Sequence, residues 1–571
     1  MAAVSPDTPH QRIAARLRRL YGRERAEGIS TRLSAILDAA AEGRAARGWS
    51  ERDVVLITYG DTIRSAGEPP LRTLGRFARE RLADTFSAVH ILPFFPYSSD
   101  DGFSVIDYER VRDDLGDWGD IQALARDFRV GFDLVLNHAS VDSEWFRQFL
   151  ADEHPGRDFF VTADRDADLT AVVRPRSLPL LTAFDTAAGR RHVWTTFSAD
   201  QVDLDFANPE LLMAFVEIVL GYAAQGAGLL RLDAVAFLWK RLGTNCLHLP
   251  ETHEVVKLLR DVLEIAAPDT WLLTETNVPH AENVSYFGEG DEARLVYQFS
   301  LPPLLLQALI RGDARHLTAW AASLEPPPQG CGYLNFTASH DGIGVRPLEG
   351  LVPAAERDAL IDHLRARGVH VATKRDADGG DSPYELNVTY VDALRGDRGE
   401  TEAVHAARFL ASQTVPLALR GIPAVYIQSL FGAHDWVDGV TESGRPRTIN
   451  RRGWDEDELL ARIDSAGSFH HRVFSELLRR LRIRRTRPAF HPDAEQRVLD
   501  LGPDLFAVER RSGSDLVLAL TNVTAHDVSL PDLGPRARDT GGWLDLLEPG
   551  APARSLHEVR LAPYGCSWLV P

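Results

Sequence analysis

The chain is poor in several things at once. It has three cysteines (Cys246, Cys331, Cys566), three lysines (Lys240, Lys257, Lys374) and two methionines among 571 residues. Three widely spaced cysteines make neither a disulfide framework nor a zinc pattern and suit a reducing compartment, so a cytoplasmic protein is expected. No apolar run approaches the 18 residues of a membrane span. The first 22 residues lack the apolar stretch of a signal peptide and instead space their arginines and apolar side chains as an amphipathic helix does. There is no run of Lys or Arg, and the net charge is −19. Nucleic acid and anionic membranes are therefore poor partners, and small molecules are the expected ones. Small apolar patches on the N-terminal helix are compatible with a homodimer. No EF-hand calcium loop is present. With 44% hydrophobic and 25% charged residues the chain is globular.

What is present is a recurring unit: a short β-branched or apolar run, a polar loop, then a helical stretch. Eight such runs stand out. They are Val54–Tyr59, Val89–Phe94, Phe132–Leu136, Leu229–Leu232, Trp271–Thr274, Leu295–Phe299, Tyr333–Thr337 and Ala424–Gln428. Eight buried-type strands with crossover helices predict an α/β fold, a (β/α)8 barrel. The expected layout is an N-terminal helical extension over 1–48, and the barrel over 49–138 and 204–485. A subdomain is expected over 139–203 after the third strand, and a second insertion over 342–402 after the seventh. Alternating runs separated by Gly, Pro and Asp make 486–571 a small antiparallel β domain. Insertions of that length are usually functional.

Barrel enzymes carry their catalytic groups at the C-terminal ends of the strands. The third run ends in Asn137-His138, the fourth in Arg231-Leu232-Asp233, the fifth in Glu275 and the seventh in His340-Asp341. Singly, each has an ordinary structural explanation: a helix cap, a solvated carboxylate, an ion pair. Together they bring three carboxylates, two histidines and an arginine to one face. Paired carboxylates across a sugar ring are the equipment of glycosidic-bond chemistry. Arg231, two residues before Asp233 on the same strand, points to the same side and would keep Asp233 ionised as a nucleophile. Glu275 would serve as acid if a closed apolar pocket raised its pKa.

FDLVLNH (132–138), LLRLDAVAFLWK (229–240), LLTETN (272–277) and ASHDGIGVRP (338–347) resemble, in order, the four motifs of glycoside hydrolase family 13, the α-amylase superfamily. HILPFFPYSSDDGFSVIDY (90–108), VVRPRSLPL (172–180), VWTTFSADQVDLDF (193–206) and SPYELNVTYVDAL (382–394) narrow the resemblance to the sucrose phosphorylase subfamily. The resemblance implies Asp233 as nucleophile, Glu275 as acid/base and Asp341 as the carboxylate that stabilises the transition state. It implies sugar contacts for Asp100, Phe103, His138, Phe197, Gln201, Arg231, His340 and Arg447. Arg174, Arg176, Asn277, Pro383, Tyr384 and Glu385 fall on the phosphate and acceptor side. Asn277 stands where sucrose phosphorylases carry His, and Ser382-Pro383-Tyr384-Glu385 replaces their acceptor loop. Residues 236–261, with HDGIGVRP, are closer to the glucosylglycerate phosphorylase branch.

The implied activity is a retaining disaccharide phosphorylase with inorganic phosphate as co-substrate and no metal or cofactor, acting on an α-glucoside, foremost glucosylglycerate. Sucrose or glucosylglycerol is the alternative donor, and a small α-glucoside hydrolase or transglucosidase the alternative class. A non-catalytic barrel is disfavoured because all three carboxylates are present. Arg174, Arg176, Arg346 and Lys240 are candidate cations for the acceptor carboxylate.

Overall fold

The computed structural model describes residues 8–40, 47–176, 178–375, 380–533 and 542–571. Parts of the N-terminal extension, Ser177 and stretches of the second insertion and of the C-terminal region lie outside these residues.

Eight strands close into a parallel barrel: β1 (Val55–Thr58), β2 (Ala88–Ile91), β3 (Arg129–Val135), β4 (Ala227–Asp233), β5 (Trp271–Thr274), β6 (Leu295–Tyr297), β7 (Gly332–Asn335) and β8 (Ile422–Tyr426). Each pairs in parallel with its sequence neighbours, and β8 returns to β1 through Val55↔Ala424. The strands read as apolar runs because both of their faces are buried. Two boundaries differ from the sequence expectation for a local reason. β2 stops at Ile91, two residues before Pro93, which has no N–H to continue a ladder. β8 starts at Ile422 rather than Ala424, since Asn335↔Pro423 is a register pair that the barrel tolerates.

Both insertions rise from the carboxyl end of the barrel. The first is drawn shut at its base by a two-stranded antiparallel pairing, His138↔Asp203 to Ser140↔Gln201. Beyond it lie the helix Glu144–Ala151 and the hairpin Leu181–Thr186/Gly189–Trp194. The second carries a three-stranded sheet in which Asp381–Asn387 lies between Ile343–Gly344 and His370–Arg375. Behind the barrel, β9 (Glu495–Asp500), β10 (Leu505–Ser512), β11 (Asp515–Asn522), β12 (Leu544–Asp545) and β13 (Cys566–Val570) form an antiparallel sheet in the order β9-β10-β11-β13-β12. Among the described residues no helix is long and apolar enough to cross a membrane.

The N-terminal helix α1 (Pro9–Ala40) breaks at Gly22, whose φ of 78° and ψ of 166° suit a residue without Cβ. The chain doubles back there, bringing His10 Nε2 within 3.4 Å of Asp38 Oδ1. One arm lies on the helix Pro250–Ala266. There the buried Arg16 guanidinium meets Asp261 at 2.7 Å and Asp291 at 3.1 Å, and Arg12 meets Asp261 at 2.6 Å. A buried carboxylate left without its cation is costly. Arg16→Met should lower unfolding stability by about 3 kcal/mol in a denaturant melt. Arg23→Met, on a side chain 87% exposed, should leave the melt unchanged. Equal melts for the two would show that the α1 contact carries no weight.

Candidate active site

Strand register assembles the centre of the site. Leu232 on β4 pairs with Thr274 on β5, so Asp233 and Glu275 come abreast at the tops of adjacent strands. The Glu275 N–H donates to Leu232 O at 3.1 Å. Immediately after Asp233 the backbone turns through the left-handed region at Ala234 (φ 50°), and this turn aims the Ala234 N–H at Glu275 Oε2, 3.0 Å away. The bend costs energy for a residue with a Cβ, and what it provides is a fixed donor to Glu275.

Beneath the pair lies Arg231. It is buried, sits against Asp133, and donates to Asp233 Oδ1 at 3.0 Å. Asp133 is also held by His90 Nε2 at 2.9 Å. Burial opposes the charge on Asp133, but Arg231 and His90 outweigh it and hold the carboxyl below its ordinary range. Asp341 is similar. Burial works against it, while Arg447 and Arg451 outweigh burial and bring it well below the usual carboxylate values. Arg447 lies 2.6 Å from Asp341 and Arg451 3.7 Å.

Asp233 departs from expectation. Arg231 does favour its anion, yet burial, reinforced by Glu275, Asp133 and Asp341, pushes its carboxyl well above the ordinary value. Glu275 is raised as well, by burial first and by Asp341, against Arg231. Both shifts run in the direction that favours a proton at this adjacent buried pair. Arg231 touches Asp233 directly, which favours the anion there and the proton on Glu275.

Around these groups the wall is aromatic and neutral. Phe103 stacks on the His340 ring at 4.8 Å and 9°, and Phe197 packs on His138 at 5.1 Å. His138 Nε2 lies 2.9 Å from Phe103 O and 3.1 Å from Gln201 Nε2. Burial lowers the pKa of both His138 and His340, so both rings are uncharged. Gln201 Nε2 also reaches towards Asp100 Oδ2 at 3.4 Å. Asp100 and Asp101 both take positive φ, and Asp101 is fixed by Arg445 and Arg451.

One pocket is lined by Asp233, Glu275, Asp341, Asp100, Phe103, His138, Phe197, Gln201, His340 and Arg447, and by Arg174, Arg176, Asn277, Tyr384 and Glu385. Three expected residues, Arg231, Pro383 and Lys240, are not among its walls. Arg231 acts from underneath, and Pro383 sits within the strand Asp381–Asn387 opposite Thr373. Glu385 is corrected in role: its carboxylate is buried and occupied by Arg447, which donates to its two oxygens at 3.0 and 2.6 Å. Lys240 is corrected too. It is a buried strut, 2.6 Å from Asp203 and 2.7 Å from Asn137 Oδ1.

The pocket also takes in residues the motifs did not flag, Phe237 and Lys374 foremost. Lys374 belongs to no motif. Its one signal was rarity, as one of three lysines in an arginine-rich chain. The rim thus gathers Arg174, Arg176, Arg346 and Lys374, above a floor of three carboxylates.

A carboxyl whose pKa is raised on folding binds its proton more tightly in the folded state. The stability it contributes is whole below the unfolded pKa and is lost as pH rises through the folded value. Glu275→Gln removes that loss. The variant should melt level with the parent near pH 4 and progressively above it towards pH 8, in thermal unfolding across that range. An unchanged difference between the two pH values would mean that no proton is shared at the pair.

The α-amylase catalytic-domain model matches residues 85–321. The chain is 45% identical to the glucosylglycerate phosphorylase of Allomeiothermus silvanus over the whole of both chains. It is 43% identical to that of Escherichia coli, covering 91% of this chain and 92% of the relative. The sucrose phosphorylase of Agrobacterium vitis is 31% identical over 79% of this chain and 91% of its own. The crystal structure of sucrose 6F-phosphate phosphorylase from Thermoanaerobacter thermosaccharolyticum superposes with a TM-score of 0.72 at 26% identity, covering 84% of this chain and 95% of that one. A pocket floored by three strand-end carboxylates in this barrel, with relatives matched end to end, leads to one assignment: the chain belongs to the α-amylase superfamily, glycoside hydrolase family 13, in the group that holds the glucosylglycerate and sucrose phosphorylases.

Proposed function

We propose that the protein is a retaining phosphorylase that converts glucosylglycerate and inorganic phosphate to α-D-glucose 1-phosphate and D-glycerate. The observation that carries this reading is the polarity of the pocket. Its floor holds carboxylates for glucosyl transfer, and its rim holds Arg174, Arg176, Arg346 and Lys374 for an anion. Full-length identity to glucosylglycerate phosphorylases supports the donor. The unpaired Cys246, Cys331 and Cys566 suit a cytoplasmic enzyme.

In the first step an Asp233 oxygen attacks the anomeric carbon and the glycosidic bond breaks. The Glu275 proton passes to the departing glycerate oxygen. A β-glucosyl ester on Asp233 results. A phosphate oxygen then attacks the same carbon from the other face, its proton returns to Glu275, and Asp233 leaves as carboxylate. Two inversions give net retention. Arg231 stabilises the carboxylate at the start and end of the cycle, and Asp341, ionised throughout, favours the positive charge that develops on the sugar ring. The double displacement draws on side chains alone, with phosphate as co-substrate and no cofactor. Phosphate carries up to two charges into a carboxylate-lined site, and arginine forks offset that repulsion.

Sucrose or glucosylglycerol phosphorolysis uses the same floor and differs only in the acceptor. A cationic rim favours the anionic acceptor over either neutral one. The test runs the reaction in the synthetic direction, mixing α-glucose 1-phosphate with D-glycerate, fructose, glycerol or water alone and following phosphate release. Release should depend on D-glycerate. Release with fructose or glycerol instead would reassign the donor, and equal release in water alone would make the protein a hydrolase. Asp233→Asn should cut transfer by at least about a thousandfold with an intact melt. Transfer surviving in that variant would remove Asp233 as nucleophile.

A further inference from the structure

The four rim cations differ in what already holds them. Arg174 donates to Leu178 O within its own loop. Arg346 differs: among the described residues its guanidinium makes no hydrogen bond, and the carboxylate facing it, Glu282, lies 3.9 Å from Nη2, beyond hydrogen-bond reach. Arg346 lines the pocket while its side chain is only 18% exposed. Its backbone is fixed from two sides. The Val345 N–H donates to Tyr384 O at 3.1 Å. Gly344 lies so close under Asn277 that a Cβ there would come within 2.7 Å of the Asn277 amide. Asn277 and Tyr384 line the same pocket, so the arginine stands among the acceptor-side residues.

Behind it runs a chain of contacts. Glu282 Oε2 lies 3.2 Å from His248 Nε2, and His248 Nδ1 lies 2.9 Å from the Tyr286 hydroxyl. Tyr286 is buried, its face is covered by the His253 ring at 4.5 Å, and His253 reaches Glu292 at 2.8 Å. The directions follow from chemistry. Burial lowers the His248 pKa to about 4, so the ring is neutral, with one donor and one acceptor. The Tyr286 O–H, held protonated by burial, donates to Nδ1, which leaves Nε2–H to donate to Glu282. His248 itself sits at a positive φ of 52°, with its N–H on Ala236 O at 2.9 Å. That strained position persists because the surroundings fix it. The neutral donor anchors Glu282 without cancelling its charge, and the anion then aims Arg346 while leaving its N–H groups available.

We propose, resting on the phosphorylase reading above, that Arg346 takes the acceptor anion, phosphate in one direction and the glycerate carboxylate in the other, with Glu282 and His248 as its positioning residues. A guanidinium oriented in advance loses less freedom on gripping an oxyanion with two parallel hydrogen bonds. Residues 236–261, which resemble the glucosylglycerate branch more than the sucrose branch, thereby gain a role through His248.

The test uses α-glucosyl fluoride as donor, so that no anion enters with the glucosyl group, and compares phosphate, D-glycerate and neutral glycerol as acceptors. Selectivity is the ratio of kcat/KM for each anion to that for glycerol. Arg346→Met should lower it at least about tenfold. Glu282→Gln should lower it roughly fivefold, through KM for the anions with kcat little changed, and Glu282→Asp should restore part of the loss. Tyr286→Phe, which keeps the buried ring, should act in the same direction as His248→Asn. Equal losses for glycerol and the anions would reduce the chain of contacts to a structural role and overturn the proposal. So would unchanged selectivity in Arg346→Met. A parent enzyme that transfers to no anion at all would overturn the phosphorylase reading itself, a result separable from either of these.

Discussion

Everything at this site depends on a guanidinium that a substrate need not touch. Arg231 is buried under the pocket between Asp133 and Asp233, with Glu275 adding its field. Charges in such a place are affordable only in compensated groups, because desolvation of each is worth several kcal/mol. The groups are arranged in order: His90 and Arg231 hold Asp133, the charges of Arg447 and Arg451 face Asp341, and Asp233 and Glu275 are left under-compensated. That shortfall favours a proton at the pair, and one proton on two carboxyls is what a general acid beside a nucleophile requires.

The two insertions set a second level. The barrel by itself would open its carboxylates to solvent and to polymers. The first insertion, closed at its base by His138↔Asp203, supplies Arg174, Arg176, Phe197 and Gln201. The second supplies Arg346, Lys374, Tyr384 and Glu385. Glu385 reaches back to grip Arg447 and thereby couples the second insertion to Asp341. A negative floor and a positive rim follow.

Much of this was legible in order of residues. Apolar runs of four to six residues marked the eight strands to within three residues at either end. Arg231, Asp233, Glu275 and Asp341 showed themselves as polar residues at strand ends, where the barrel builds its sites. Lys240 and Lys374 were not legible. The first looked like an acceptor cation because it follows the Asp233 motif, yet the same loop turns it inward to Asp203. The second follows no motif and reaches the rim through the strand His370–Arg375, whose pairing with Asp381–Asn387 cannot be read from either strand alone. Glu385 was read as an acceptor contact because a long-range ion pair to Arg447, 62 residues on, leaves no local trace.

The sequence by itself determined the period of strand and helix, the barrel, and which carboxylates stand at its mouth, since these follow from local patterning, apolar runs each ended by polar residues. Tertiary structure alone decided which charges remain uncompensated. Whether Asp233 is held down by Arg231 or pushed up by burial and its neighbours is a sum over groups at the ends of four strands, and no stretch of chain contains that sum.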